Sequence, residues 1–200
     1  MDEQIAWVLR ARQGDEEAFT RLVEAFQTPV HNLCLRMLGE ERDAEDAAQE
    51  TFLRAYRHLN RYDEARPFGT WILSIAAHYC IDRLRKRRLQ VLSLDEEDEE
   101  GATLELPDPD SPQPEVQALR REERERIHGM LQHLDEVDRA AIVMRYWNGS
   151  AEVEIAEALH LTVSAVKSRL HRARRALGER WQEGTSVNRP QRRPHESPAV

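Results

Sequence analysis

Cysteine is almost missing from this 200-residue chain, glycine is sparse at eight residues, and aromatic residues make up only 6%. Two cysteines cannot build a disulfide framework. Cys34 and Cys80 each sit between apolar or aromatic neighbours in a helical pattern, and buried free thiols account for them better than a redox pair does. No stretch approaches the roughly eighteen uninterrupted apolar residues of a membrane span. The start, MDEQIAWVLRAR, has no basic segment followed by an apolar run, so a cytoplasmic location without membrane insertion is expected. Glycine-rich phosphate loops, a His-Glu-x-x-His pair and a nucleophile elbow are all absent, which removes the usual sequence grounds for an enzyme. His31 and Cys34 have the spacing of two helical zinc ligands, but two more would have to come from elsewhere, and a core histidine beside a buried cysteine is the simpler reading. No metal or cofactor is expected.

Missing too is any apolar alternation of period two long enough for a strand. Apolar residues recur instead at three-to-four spacing, which predicts an all-α fold. Helices are expected at about 3–13, 16–38, 42–59 and 67–88 in the first half, and at about 115–133, 136–147, 150–159 and 162–183 in the second, with breaks at Gly14, Gly39 and Asn148-Gly149. The net charge of -8 is unevenly spread: residues 1–88 carry 14 bases against 15 acids, residues 89–117 none against ten, and residues 118–181 twelve against ten. The acidic stretch holds Pro107, Pro109, Pro112 and Pro114 and has no helical period. It reads as a flexible linker between two small helical domains, 1–88 and 118–183, with a disordered tail at 184–200.

The strongest local pattern is SAEVEIAEALHLTVSAVKSRLHRARRAL, from Ser150 to Leu177. A short helix, a turn around His160 and a longer basic helix give the layout of a helix-turn-helix. Small Ala156 suits the close approach of the two helices, and Ile155, Leu159, Leu161 and Val166 fill the space between them. Val166, Leu170, Ala173 and Leu177 form one stripe for the core. That leaves Ser164, Lys167, Ser168, His171, Arg172 and Arg175 outward, on a helix with six Lys and Arg but a single acid between Lys167 and Arg180, a composition suited to phosphate and major-groove contact. His160 stands where the turn often has glycine, and histidine tolerates positive φ better than most residues.

A second basic cluster, Arg83, Arg85, Lys86, Arg87 and Arg88, ends the helix FGTWILSIAAHYCID. Phe68, Ile72, Ile75 and Tyr79 are expected to face the core, with Trp71, Ser74 and His78 around the side. Aromatic and polar flanks beside a basic end suit unstacked single-stranded bases. On ERDAEDAAQETFLRAYRHL the expected core stripe is Ala48, Phe52, Ala55 and Leu59. Asp43, Asp46, Gln49, Glu50, Leu53, Arg54 and Arg57 then point outward, as a docking face or as ordinary solvated helix.

Taken in order, DAEDAAQETFLRAY, FGTWILSIAAHYCIDRLRKRR, LDEVDRAAIVMRYWNG and VSAVKSRLHRARRAL resemble the sigma factors of the extracytoplasmic-function group, over roughly residues 14–177. The resemblance implies a non-enzymatic factor that binds core RNA polymerase, recognises promoter DNA and promotes strand opening. It implies polymerase docking through Asp46, Gln49, Glu50 and Leu53, capture of the melted downstream strand by the Trp71 to Arg88 helix, and reading of the upstream duplex by Ser164 to Arg175. It further implies that the linker threads the polymerase channels and that an anti-sigma factor is a partner. His78, Ser164-Ala165 and Glu152 depart from the common asparagine, Gly-Thr and tyrosine at those places, which bears on the promoter sequence preferred. A plain helix-turn-helix regulator would leave the Arg83 to Arg88 cluster and the acidic linker without a role.

Overall fold

Local capping sets where the helices begin and end. In a computed structural model that describes residues 2–93, 123 and 125–187, α1 (Asp2–Arg12), α2 (Glu16–Leu38), α3 (Glu41–His58) and α4 (Phe68–Ser93) form the first domain. A short 3-10 turn at Leu59–Arg61 follows α3. The second domain holds α5 (125–131), α6 (Glu136–Tyr146), α7 (Glu152–Ala158) and α8 (Val163–Val187). Asp15 accepts the Ala18 N–H at 3.0 Å to start α2, and Asp135 accepts from Val137 and Asp138 at 2.9 and 2.7 Å to start α6. Each satisfies amide donors that the first helical turn leaves open. Gly39 ends α2 at a φ of 89°, its N–H bonded to the Leu35 carbonyl at 2.8 Å. The His128 ring of α5 sits where a Cβ on Gly39 would lie, 2.2 Å from its Nε2, so glycine meets both a backbone and a steric demand here.

Among the described residues every element is helical, as the periodicity predicts, but some boundaries shift. Helix α4 runs on through Ser93, and α8 through Val187, so residues 89–93 and 184–187 are helical rather than linker and tail. Residues 94–117 and 188–200, the rest of those two segments, lie outside the described residues.

Two core stripes also differ from expectation. On α4, Phe68 and Ile72 are buried but Ile75 and Tyr79 only half so, while Leu73, Ala76, Ala77 and Cys80 are enclosed. The reason is that α2, α3, α6 and α7 all pack on α4, covering more than one face. On α3 the buried positions are Ala44, Ala47, Thr51 and Ala55, with Ala48 and Phe52 half-buried. Thr51 is tolerated inside because its hydroxyl donates to the Ala47 carbonyl at 2.7 Å. Cys34 and Cys80 are both buried free thiols. They meet across α2 and α4, where the hydrogen bond to Cys34, followed by burial, pushes the Cys80 thiol far up. His31 lies 3.4 Å from Glu41.

The two domains share one continuous buried cluster, from Leu22, Leu33, Met37 and Ile72 to Ile142, Met144, Ile155 and Val166. At the seam, Arg139 of α6 donates to the Met37 carbonyl at 2.8 Å and Asn148 donates to the Pro29 carbonyl at 3.0 Å. The Arg36 guanidinium lies 5.1 Å from the centre of the Trp147 ring.

Candidate nucleic-acid and polymerase interfaces

Helix α8 is aimed by its own start. His160 takes a φ of 54°, turning the chain between α7 and α8, and the Thr162 hydroxyl accepts the Ala165 N–H at 3.1 Å. Val166, Leu170 and Ala173 are then buried, with Leu177 half-buried. The opposite side carries Ser164, Lys167, Ser168, His171, Arg172 and Arg175, all exposed. Not every base of the helix joins them. Arg169 turns inward to Asp138 at 2.6 Å and Asp135 at 3.4 Å, and Arg174 donates to the Leu170 carbonyl at 3.2 Å. Lys167 and Arg175 lie 3.7 and 3.4 Å from Glu152 and Glu179, exposed pairs that hold their charges only weakly.

On α4, Trp71 is half-buried in an aromatic cluster, with ring centres 5.2 Å from Tyr62 and 5.5 Å from Phe68. It is both a core residue and a partly open platform. Ser74 and His78 follow one and two turns on, half-buried, with the His78 Nδ1 2.8 Å from the Ser74 carbonyl. The basic end divides into two kinds of residue. Arg83 and Arg87 both reach across to Asp43 of α3, one to each carboxylate oxygen, whereas Arg85 and Lys86 are exposed. Arg88, also open, comes within 3.8 Å of Glu136.

That pairing places Asp43 against α4 and away from the outward face of α3. The outward face carries Asp46, Gln49 and Leu53, the last half-exposed at 50%. Glu50 bonds Arg54 at 2.8 Å, and that hydrogen bond holds the Glu50 carboxyl below its ordinary value. The Arg54 guanidinium in turn lies 4.7 Å from the centre of the Tyr79 ring. Sequence reasoning missed Tyr56, exposed at 47% and edge-on to Phe19 at 4.9 Å. Its position three residues after Leu53 on one helix was the available signal. The face is thus an apolar pair, Leu53 and Tyr56, bordered by acids.

Residues 22–90 match the family description Sigma-70 region 2, and residues 124–177 match Sigma-70, region 4. The chain is 35% identical over 172 residues to the ECF RNA polymerase sigma factor SigW of Bacillus subtilis, covering 85% of this chain and 92% of that protein. It is 33% identical over 183 residues to the RNA polymerase sigma-H factor of Pseudomonas aeruginosa, covering 90% and 94%. Its fold is similar to that of CnrH in complex with the cytosolic domain of CnrY, with a TM-score of 0.67 at 24% identity over 92% of this chain and 99% of that one. It is also similar to the sigma factor RpoE in complex with the anti-sigma factor NepR from Bartonella quintana, with a TM-score of 0.61 at 20% identity over 86% and 98%.

Proposed function

The chain belongs to the extracytoplasmic-function sigma factors of RNA polymerase, and on that footing we propose that α8 reads the upstream promoter element, α4 captures the melted downstream strand and α3 docks on core polymerase. The function of the whole is promoter recognition in transcription initiation. The observation that carries the division of labour is the α8 face, where six polar and basic side chains stand exposed directly behind a buried stripe. Lys167, Arg172 and Arg175 supply phosphate contact there, and Ser164, Ser168 and His171 supply hydrogen-bonding groups for base edges.

On α4, Trp71 offers a ring for stacking, Ser74 and His78 offer hydrogen-bonding groups, and Arg85 and Lys86 offer an electrostatic track that Arg83 and Arg87 extend when released from Asp43. Asp46, Gln49, Glu50, Leu53 and Arg54, joined by Tyr56, form the docking face, an apolar centre with a polar rim. The chain performs no reaction. Unstacking promoter bases costs a few kcal/mol per step, and base stacking with phosphate contact offsets it. The acidic linker suits basic channels that hold nucleic acid. Work in the cytoplasm follows from this role, and the Bartonella complex supports an anti-sigma factor as a further partner; among the described residues no helix is long and apolar enough to cross a membrane.

Run-off transcription with purified core polymerase on genomic fragments tests the reading. Start sites that depend on this chain are expected, and Arg172→Glu together with Arg175→Glu abolishes upstream-element dependence without loss of polymerase binding. Transcripts that begin at the same places without the chain would refute it.

A further inference from the structure

Helix α1 precedes residues 22–90, which match Sigma-70 region 2, and carries none of the proposed interface residues, yet one of its side chains reaches the aromatic cluster around Trp71. The end of α1 is fixed first. Arg10 donates to the Asp15 carboxylate at 2.8 Å, and the Asp15 N–H donates back to the Arg10 carbonyl at 3.2 Å, so the cap of α2 anchors the last turn of α1. From that turn Arg12 extends over the segment that joins α3 to α4. Its Nε donates to the Leu59 carbonyl at 3.1 Å, one terminal nitrogen to the Tyr62 carbonyl and the other to the Glu64 carboxylate. Its guanidinium carbon lies 5.9 Å from the centre of the Tyr62 ring. The planar fork of arginine can satisfy three acceptors that lie in three directions, which the single ammonium of lysine cannot do at once. The segment depends on this grip, because Arg61 and residues 63–67 are exposed and Tyr62, 4% exposed, is the side chain among them that enters the core. The Tyr62 ring lies 5.4 Å from Phe68 and 5.2 Å from Trp71, inclined to the Trp71 plane by 48°. Its hydroxyl donates to the Arg66 carbonyl, closing the segment back on the start of α4. Tyr62 is thus the floor beneath Trp71, and Arg12 fixes the backbone that carries Tyr62.

We propose that Arg12 is a positioning residue for strand capture: it holds Tyr62, and through Tyr62 the Trp71 ring, in the orientation that an unstacked base requires. This rests on the assignment of Trp71 to the melted strand. A stacking platform works only while its plane is held, since a ring free to turn into space vacated below it loses the face it offers to a base. Arg12 acts from the far side of that platform. Its side chain is 20% exposed, and its donors are engaged by protein oxygens on every side of the guanidinium, so its part in capture runs through Tyr62 and not through a phosphate.

Three full-length variants test the idea. Arg12→Met keeps the length of the side chain and removes every donor, Arg12→Lys keeps the charge and loses the fork, and Trp71→Leu removes the platform while retaining apolar bulk. Binding of a fluorescein-labelled, mixed-sequence single strand to holoenzyme is followed by anisotropy over a salt series. Both Arg12 variants are expected to bind the strand about tenfold more weakly, the scale of one lost base stack. Their affinity for core polymerase stays that of the wild type, and their melting temperatures lie within about 6 °C of it. The salt slope does not change, since no phosphate contact is removed. In the Trp71→Leu background Arg12→Met costs nothing further, because the two residues act through one stack. Additive losses, or strand affinity kept by either Arg12 variant, would overturn the proposal. A slope shallower by about 0.7 would overturn it too, by showing that Arg12 meets phosphate directly. Run-off transcription by the wild-type chain separates the failures: transcripts present with strand affinity unmoved in the variants sink only the role of Arg12, whereas absent transcripts sink the functional reading and this role with it.

Discussion

Asp43 sets two arginines of the proposed strand-binding helix against a single acid, so replacing it moves stability and nucleic-acid affinity in opposite directions. Its side chain is 16% exposed, and those of Arg83 and Arg87 are 28% and 42% exposed. The outer pair is screened and worth at most about 1 kcal/mol, while loss of the carboxylate leaves the inner guanidinium partly buried without its anion. Together Asp43→Ala is expected to cost about 2 kcal/mol, a fall of roughly 1 M in the urea midpoint. The two released cations reach phosphate instead. Each added contact steepens the dependence of log K on log salt by about 0.7 for a single strand, so the holoenzyme carrying Asp43→Ala should show a slope steeper by up to about 1.4. Chemical denaturation of the free chain and anisotropy titrations of the holoenzyme over a salt series measure the two quantities. Lower stability with an unchanged slope would mean that Arg83 and Arg87 hold α3 to α4 and never touch the strand, refuting their assignment.

Gly39→Ala forces an unfavourable left-handed φ and drives a methyl group into the His128 ring. It should destabilise by about 2 to 3 kcal/mol in thermal unfolding, and His128→Ala should recover only the steric part. Burial first, then Arg139 and Arg87, holds His128 below its ordinary value of 6.5, and its buried Nδ1 has no hydrogen-bond partner among the described residues. The neutral ring is therefore favoured by the fold, and its contribution is complete above that value and declines as the pH falls below it. The melting temperature of the wild type should drop between about pH 6.5 and 5 more steeply than that of His128→Gln; parallel profiles would count against it. Leu53→Asp alters an exposed side chain, so the melting temperature should stay within about 2 °C while affinity for core polymerase falls at least about tenfold by competition assay.

Helix α2 was legible to both ends because its Asp15 cap and Gly39 stop are local chemistry. The outward set of α8 was legible because one apolar stripe, packed on α6 and α7, leaves one free face. Helix α4 was not, since neighbours on several sides bury residues that no single stripe contains. Asp43 shows the same limit at the site. Helical spacing turns its Cα outward, but Arg83 and Arg87 approach from a helix 40 residues away in sequence and recruit the carboxylate. Arg169 lies on the most basic helix and still turns inward to Asp138 and Asp135, so a charge count overstated the cationic face. Tertiary pairing, not local pattern, decides which charges remain available to DNA.

The seam between the domains carries buried polar atoms without partners. Three buried side-chain atoms lack a hydrogen-bond partner among the described residues: His128 Nδ1, Arg139 Nε and Asn148 Oδ1. All three belong to the second domain where it meets the first, with His128 beside Gly39, Arg139 on the Met37 carbonyl and Asn148 on the Pro29 carbonyl. Each unsatisfied atom costs about 1 to 3 kcal/mol, and the Arg139 guanidinium, 6% exposed, carries a desolvation penalty as well. Drawing the domains apart lets water reach all three, which offsets part of the apolar burial and hydrogen bonding lost. Replacing both donors with apolar side chains, Arg139→Met with Asn148→Leu, removes two of the three unpaired atoms but also strips the Met37 and Pro29 carbonyls of their donors, so gain and loss nearly cancel and the melting temperature should stay within about 4 °C of the wild type; a larger fall would show that the two donors outweigh their own unpaired atoms.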